Sequence, residues 1–166
     1  GMGRIGRELA TMARGLGMAV HYRDQQRLPA ELEQGAVFHD SDATFLPVCD
    51  VLSLHAPGTA ETHHWLDAAR IALLPAGAVV VNAARGALID DAALVAALGT
   101  GHIAAAGLDV YAQEPVVDPG YRARENVVLL PHLGSATADT RIAMGHCVLD
   151  GIDAVLAGRA PANLVR

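Results

Sequence analysis

Apolar positions along the chain alternate between helical and strand spacing. From Arg4, the residues Ile5, Leu9, Met12, Ala13 and Leu16 recur at helical intervals until Gly15 and Gly17 stop them. Met18–Arg23 (MAVHYR) reads as a short strand that ends at Asp24. A helical turn is predicted over Pro29–Gln34, a brief strand over Ala36–Phe38, and a short helix opened by Ser41 or Asp42. Asp50–His55 (DVLSLH) has the pattern of a buried strand closed by Pro57-Gly58, and Asp67 caps a helix through Leu74. Ala78–Asn82 (AVVVN) is the strongest strand pattern in the chain. Asp90 and Asp91 open a helix over Ala92–Leu98, with Gly99 beyond its end. His102–Asp109 and Asn126–Leu130 read as two more strands. Thr137–Ala157 is a long helix stopped by Gly158, its middle weakened by Gly145 and Gly151. Strands separated by helices at this spacing predict an α/β fold with a doubly wound parallel sheet.

Composition narrows the function classes. The 166 residues suffice for one domain, and 52% are hydrophobic against 18% charged. A net charge of −6 without any Lys/Arg run argues against a nucleic-acid partner. No apolar stretch is long enough to span a membrane. Cys49 and Cys147 belong to no C-x-x-C pair, so a reduced, cytoplasmic setting is expected. The eight histidines are scattered, and the adjacent His63 and His64 would sit about 100° apart on a helix. No metal site is expected.

The first six residues, Gly1-Met2-Gly3-Arg4-Ile5-Gly6, form a G-x-G-x-x-G turn at the start of the first helix. Such a turn presents backbone N–H groups and a helix N-terminus to a pyrophosphate. Gly1, Gly3, Arg4, Ile5 and Gly6 are therefore candidate cofactor-binding residues. Asp24 lies eighteen positions after Gly6 at a strand end, where a carboxylate accepts hydrogen bonds from the adenosine ribose. That carboxylate repels a 2′-phosphate, so NAD is the expected cofactor. Arg23 and Arg27 flank it and partly offset the repulsion, which leaves NADP possible.

Three later segments put polar residues just past strand ends. Val81–Asp90 (VNAARGALID) carries Arg85, Gly107–Pro115 (GLDVYAQEP) carries Asp109 and Glu114, and Leu129–Thr137 (LLPHLGSAT) carries His132. Ligands of an open α/β sheet bind outside the strands' carboxyl ends, so Arg85, Glu114 and His132 point to one rim. Together with the glycine turn, these segments resemble the NAD-binding domain of the D-isomer-specific 2-hydroxyacid dehydrogenases. The resemblance covers nearly the whole chain. Within the family, His21–Glu33 and Asp118–Tyr121 look most like the glyoxylate/hydroxypyruvate reductase branch.

The resemblance implies an oxidoreductase that moves a hydride between NAD(P)H and a small 2-keto or 2-hydroxy acid. Arg85 would pair with the substrate carboxylate, His132 would act as acid/base, and Glu114 would fix the imidazole. Asp109 would contact the nicotinamide carboxamide, and Ala56-Pro57 would run beneath the cofactor. Ala83, Ala84, Arg85, His132 and Gly134 join the implied cofactor site. A homodimer is also expected. The pattern departs from the family in two respects: the first Rossmann strand and the separate substrate domain have no counterpart. Residues 1–166 are thus expected to form a Rossmann domain truncated at its N-terminus, with helix 137–157 leading back to a substrate domain. The missing strand should leave strand edges unpaired inside the sheet. The alternatives are a non-catalytic, corepressor-like NAD sensor, or a piece of the dehydrogenase inactive on its own.

Overall fold

A computed structural model describes residues 1–164, so the last two residues of the expected 1–166 domain lie outside it. The chain forms two compact units, Gly1–Pro131 and His132–Arg166. In the first, α1 (Arg4–Gly15), β1 (His21–Arg23), α2 (Ala30–Glu33), β2 (Val37–His39) and α3 (Asp42–Phe45) come first. They are followed by β3 (Val51–Leu54), α4 (Ala68–Ile71), β4 (Ala78–Asn82) and α5 (Asp91–Thr100). β5 (Ile103–Leu108), α6 (Pro119–Arg122) and β6 (Val127–Leu129) complete the unit.

Every strand pairing is parallel. β3-β4-β5-β6 form one ladder in that order, while β1 and β2 form a separate pair. The expected break in the sheet is present. Residues of β1 (His21–Arg23) and of β3 (Val51–Ser53) both line a cavity of about 480 Å³, with Gly6, Leu9, Ala10 and Ala13 of α1 on another wall. Val51 is accordingly 42% exposed on a strand read from sequence as buried.

The larger core lies around the four-stranded ladder. Val80 at the centre of β4 is fully buried, and Leu46, Leu66, Leu94 and Ile103 close around it. Asp90 caps α5 by accepting the Ala93 N–H at 3.2 Å. This helix runs further than its sequence pattern indicates. Gly99 lies inside it, and Gly101, at φ 75°, takes the left-handed position that ends it.

A smaller core under α1 contains Met2, Ala10, Tyr22 and Ala36. Here the apolar stripe of α1 is turned out. Ile5, Met12 and Leu16 are exposed, whereas Gly6 and Ala10 are buried. At Gly6 the helix start folds back on the turn. A Cβ on Gly6 would stand 2.3 Å from the Gly1 carbonyl oxygen, so only a small-residue face fits there. Met18–Val20 lie outside β1, although the Val20 carbonyl still accepts the Val37 N–H at 2.9 Å. His63 and His64 occupy a turn rather than a helix, and their rings stack at 3.9 Å.

In the second unit, α7 (Ala138–Leu156) runs unbroken through Gly145 and Gly151. Thr137 caps it by accepting the Thr140 N–H at 3.1 Å, and Gly158 follows its end at φ 70°. Among the described residues, no helix is long and apolar enough to cross a membrane.

Candidate functional site

The glycine turn is built from its own backbone. Gly3 is the N-cap of α1, no side chain caps the helix, and its first turn carries no acidic residue. The leading N–H groups of a twelve-residue helix, with the positive end of its dipole, therefore lie open to an anion. The three glycines do different jobs. A Cβ on Gly1 would reach 2.5 Å from the His55 carbonyl carbon, so this position holds the turn against the exit of β3. Gly6 allows the turn to fold back on Gly1. Gly3 has nothing within 4 Å of its Cβ position, and it opens on a cavity of about 690 Å³ lined also by Met2, Arg4, Ile5, Gly6 and His55. That is the face on which a phosphate can approach the backbone.

Asp24 belongs to the same neighbourhood. Its Oδ2 accepts the Met2 N–H at 2.6 Å and its Oδ1 accepts the Gln25 N–H at 2.7 Å. The carboxylate at the end of β1 is thereby fixed against the glycine turn. His55 packs on Gly1 through its backbone, and its ring lies 2.9 Å from the Ser53 hydroxyl. Burial holds its pKa below the ordinary imidazole range. Ala56 continues from it, its nitrogen 2.7 Å from where a Gly1 Cβ would stand, so Gly1, Gly3, Gly6, Asp24 and Ala56 lie together, with Pro57 next in the chain.

The loop after β4 presents Arg85. Buried Asn82 donates from Nδ2 to the Arg85 carbonyl at 2.9 Å, and its Oδ1 accepts the Ala84 N–H at 3.0 Å. One side chain thus clamps Ala83, Ala84 and Arg85 into a turn. Arg85 itself is exposed, and its Nη1 donates to the Ala84 carbonyl at 2.6 Å. The loop from Ala56 runs beside it, since a Cβ on Gly58 would stand 3.1 Å from Arg85 Cγ. Gly86 packs directly on the Tyr111–Ala112 backbone. The next loop contains Asp109, which is 7% exposed and donates its N–H to the Asn82 carbonyl at 2.9 Å. Glu114 accepts the Tyr111 N–H at 3.1 Å. Arg85, Asp109 and Glu114 therefore share one edge of the first unit, with the 56–58 loop.

β6 carries the chain toward His132. Leu130 donates its N–H to the Leu108 carbonyl at 2.9 Å, and its own carbonyl accepts the Tyr111 hydroxyl at 2.7 Å. His132 and Gly134 open the second unit. His132 has φ 56°, a left-handed conformation uncommon outside glycine. The Ala136 N–H closes a turn onto the Leu133 carbonyl at 2.9 Å.

Sequence reasoning left Asn82 out of the site, and the structure makes it the residue that shapes the Arg85 loop. Its position as a polar end to an otherwise apolar strand was the available signal. Among the described residues, no group of three His, Cys, Asp or Glu is placed to hold a metal ion.

Comparison with known proteins bears on this arrangement. Residues 1–134 match the sequence profile described as D-isomer specific 2-hydroxyacid dehydrogenase, NAD binding domain. A glycerate dehydrogenase from Hyphomicrobium methylovorum is 44% identical over 160 residues, covering 95% of this chain and 50% of that protein. A glyoxylate reductase from Thermococcus litoralis is 43% identical over 166 residues, again covering 50% of its length. The crystal structure of an NADPH-dependent glyoxylate/hydroxypyruvate reductase from Sinorhizobium meliloti, in complex with NADP and malonate, superimposes with a TM-score of 0.88. It is 36% identical, and the match covers 93% of this chain and 47% of that one. The chain thus spans about half the length of the relatives it matches.

Proposed function

The chain belongs to the D-isomer specific 2-hydroxyacid dehydrogenase family, and from that premise we propose that it is the dinucleotide-holding half of an oxidoreductase acting on a small 2-keto or 2-hydroxy acid. Glyoxylate or hydroxypyruvate is the proposed substrate, in keeping with the relatives' named activities. One observation carries the reading. The open N-terminus of α1 and the Asp24 carboxylate are joined by the 2.6 Å bond to Met2, which supports a phosphate site beside a ribose site.

The residues present fit NAD(P). Gly3 leaves room for close approach to the backbone, Asp24 offers acceptors to ribose hydroxyls, and Ala56-Pro57 lie between the glycine turn and Arg85. When bound, nicotinamide supplies the hydride that adds to the 2-carbon of the keto acid. Arg85 pairs its guanidinium with the substrate carboxylate and polarises the neighbouring carbonyl. His132 donates a proton to the carbonyl oxygen, and takes it back in the oxidative direction. In the intact enzyme Glu114 would accept a hydrogen bond from the imidazole and fix its tautomer. Asp109 would hold the nicotinamide carboxamide.

In this reading a separate substrate domain, to which α7 leads, completes the enzyme. The assembly is a homodimer in the cytoplasm. The decisive experiment follows NADH or NADPH oxidation with glyoxylate and hydroxypyruvate in the intact enzyme. His132→Ala should lower kcat by roughly 10²–10⁴. A drop of only severalfold removes His132 from the acid/base role, and no keto-acid-dependent turnover removes the enzymatic reading.

A further inference from the structure

Two arginines flank Asp24, and both are already engaged. Arg27 forms a two-point contact with Glu33, Nε to Oε1 at 2.8 Å and Nη2 to Oε2 at 3.1 Å. Glu33 is only 6% exposed and also accepts the Tyr22 hydroxyl at 2.7 Å. Tyr22, itself buried, accepts the Leu28 N–H at 2.9 Å. Pulling Arg27 away would leave a buried carboxylate without its countercharge, a costly state. Arg23 is held from the other side. Its Nη1 donates to the Asp24 carbonyl, and its Nε, which makes no hydrogen bond, stands in an ion pair 3.6 Å from Asp42. Asp42 is itself fixed by Arg70 at 2.7 Å.

A ribose 2′-phosphate beside Asp24 needs a cation to offset the carboxylate, and the two nearest in sequence are committed elsewhere. We propose that Glu33 and Asp42 are specificity-determining residues of the cofactor site: by holding Arg27 and Arg23, they leave Asp24 unopposed and make the protein select NAD(H) over NADP(H). The inference rests on the dinucleotide reading above and deepens it. It also reverses the expectation that the flanking arginines soften the preference.

The test measures NADH and NADPH dissociation constants by nucleotide fluorescence in four variants. Glu33→Gln keeps the shape and the Tyr22 contact but removes the charge that holds Arg27. Asp42→Asn does the same for Arg23. Arg27→Ala is made alone and together with Glu33→Gln. The wild type should bind NADH at least roughly tenfold more tightly than NADPH. Glu33→Gln should tighten NADPH by roughly tenfold while leaving NADH within about twofold, as one charge-assisted contact becomes available. Adding Arg27→Ala should cancel that gain, whereas Arg27→Ala alone should leave NADPH binding unchanged. Asp42→Asn shifts the preference in the same direction and carries the test if Glu33→Gln does not fold. Unchanged NADPH affinity in Glu33→Gln and Asp42→Asn would overturn the proposal. So would a loss of NADPH binding in Arg27→Ala alone, which would mean that Arg27 already reads the phosphate. Binding of neither dinucleotide would instead overturn the reading on which it rests.

Discussion

Asp24 and Met2 are joined by a hydrogen bond of 2.6 Å, from the backbone N–H of the glycine turn to the carboxylate that closes β1. The bond makes the anion-facing turn and the ribose-facing acid one rigid unit. Asp24→Ala removes the Met2 contact together with the acceptors for ribose, so NADH affinity should fall by roughly tenfold or more. NADPH should lose less, because the repulsion is removed as well. Asp24→Asn separates the two effects, since it keeps an acceptor without the charge. Titration of both nucleotides checks this, and an unchanged NADH/NADPH ratio in both variants would refute the assigned role of Asp24.

Asn82 acts on Arg85 without touching a ligand. Asn82→Ala leaves the Ala84 N–H without its partner, while the Arg85 carbonyl keeps the Leu88 N–H at 3.2 Å, at a cost of about 1–3 kcal/mol. A urea midpoint reads that loss. A purely structural role would stop there. A positioning role predicts in addition that KM for the keto acid rises several-fold with kcat much less affected, because the guanidinium no longer stands where the carboxylate binds.

The order of helices and strands was legible in the sequence because the elements of the first unit keep a local period and several of its helices a local cap. Asp67 and Asp90, for example, cap α4 and α5 as their positions imply. The site motifs were legible because glycine, aspartate and arginine sit at strand ends. What escaped the sequence was set by tertiary contact. The apolar spacing of Ile5, Leu9, Met12 and Leu16 announced a helix, but the face that is buried is the one with Gly6, packed on Gly1, and Ala10. Gly99 looked like a terminator, yet helical bonding continues to Thr100 because Gly101 supplies the left-handed turn. The pairing of Arg27 with Glu33 depends on Tyr22 from another element, and no local pattern records it.

Glu33 also gives a pH signature. Hydrogen bonds from Arg27 and Tyr22 hold its carboxyl below the ordinary value of 4.5 despite its burial. The folded state then binds this proton less readily than the unfolded chain. The stabilisation is complete above about pH 4.5 and fades as the pH falls through the lower folded value. Glu33→Gln lacks this group. The stability gap between wild type and Glu33→Gln should therefore narrow on acidification below that value, as read from urea midpoints across the carboxylate range. A constant gap would show that the Arg27–Glu33 contact contributes nothing to folding.

Gly86 and Gly3 offer opposite tests of what a glycine does here. At Gly86 a Cβ would stand 1.9 Å from the Tyr111 carbonyl carbon and 2.3 Å from the Ala112 nitrogen. That backbone has little room to yield, since the Tyr111 hydroxyl is bonded to the carbonyls of Leu108 at 3.1 Å and Leu130 at 2.7 Å. Gly86→Ala should therefore cost about 3 kcal/mol and pry apart the loops that carry Arg85 and Glu114. At Gly3 the same substitution meets nothing within 4 Å, and φ is an unstrained −67°. Gly3→Ala should cost less than about 1 kcal/mol, the price of a poorer helix cap. Its effect should fall on dinucleotide affinity, because the methyl group projects into the space where a phosphate meets the backbone. Thermal unfolding and nucleotide titration of the two variants separate these outcomes. Large destabilisation by Gly3→Ala, or unimpaired NADH binding in it, would show that the pyrophosphate does not sit on this turn.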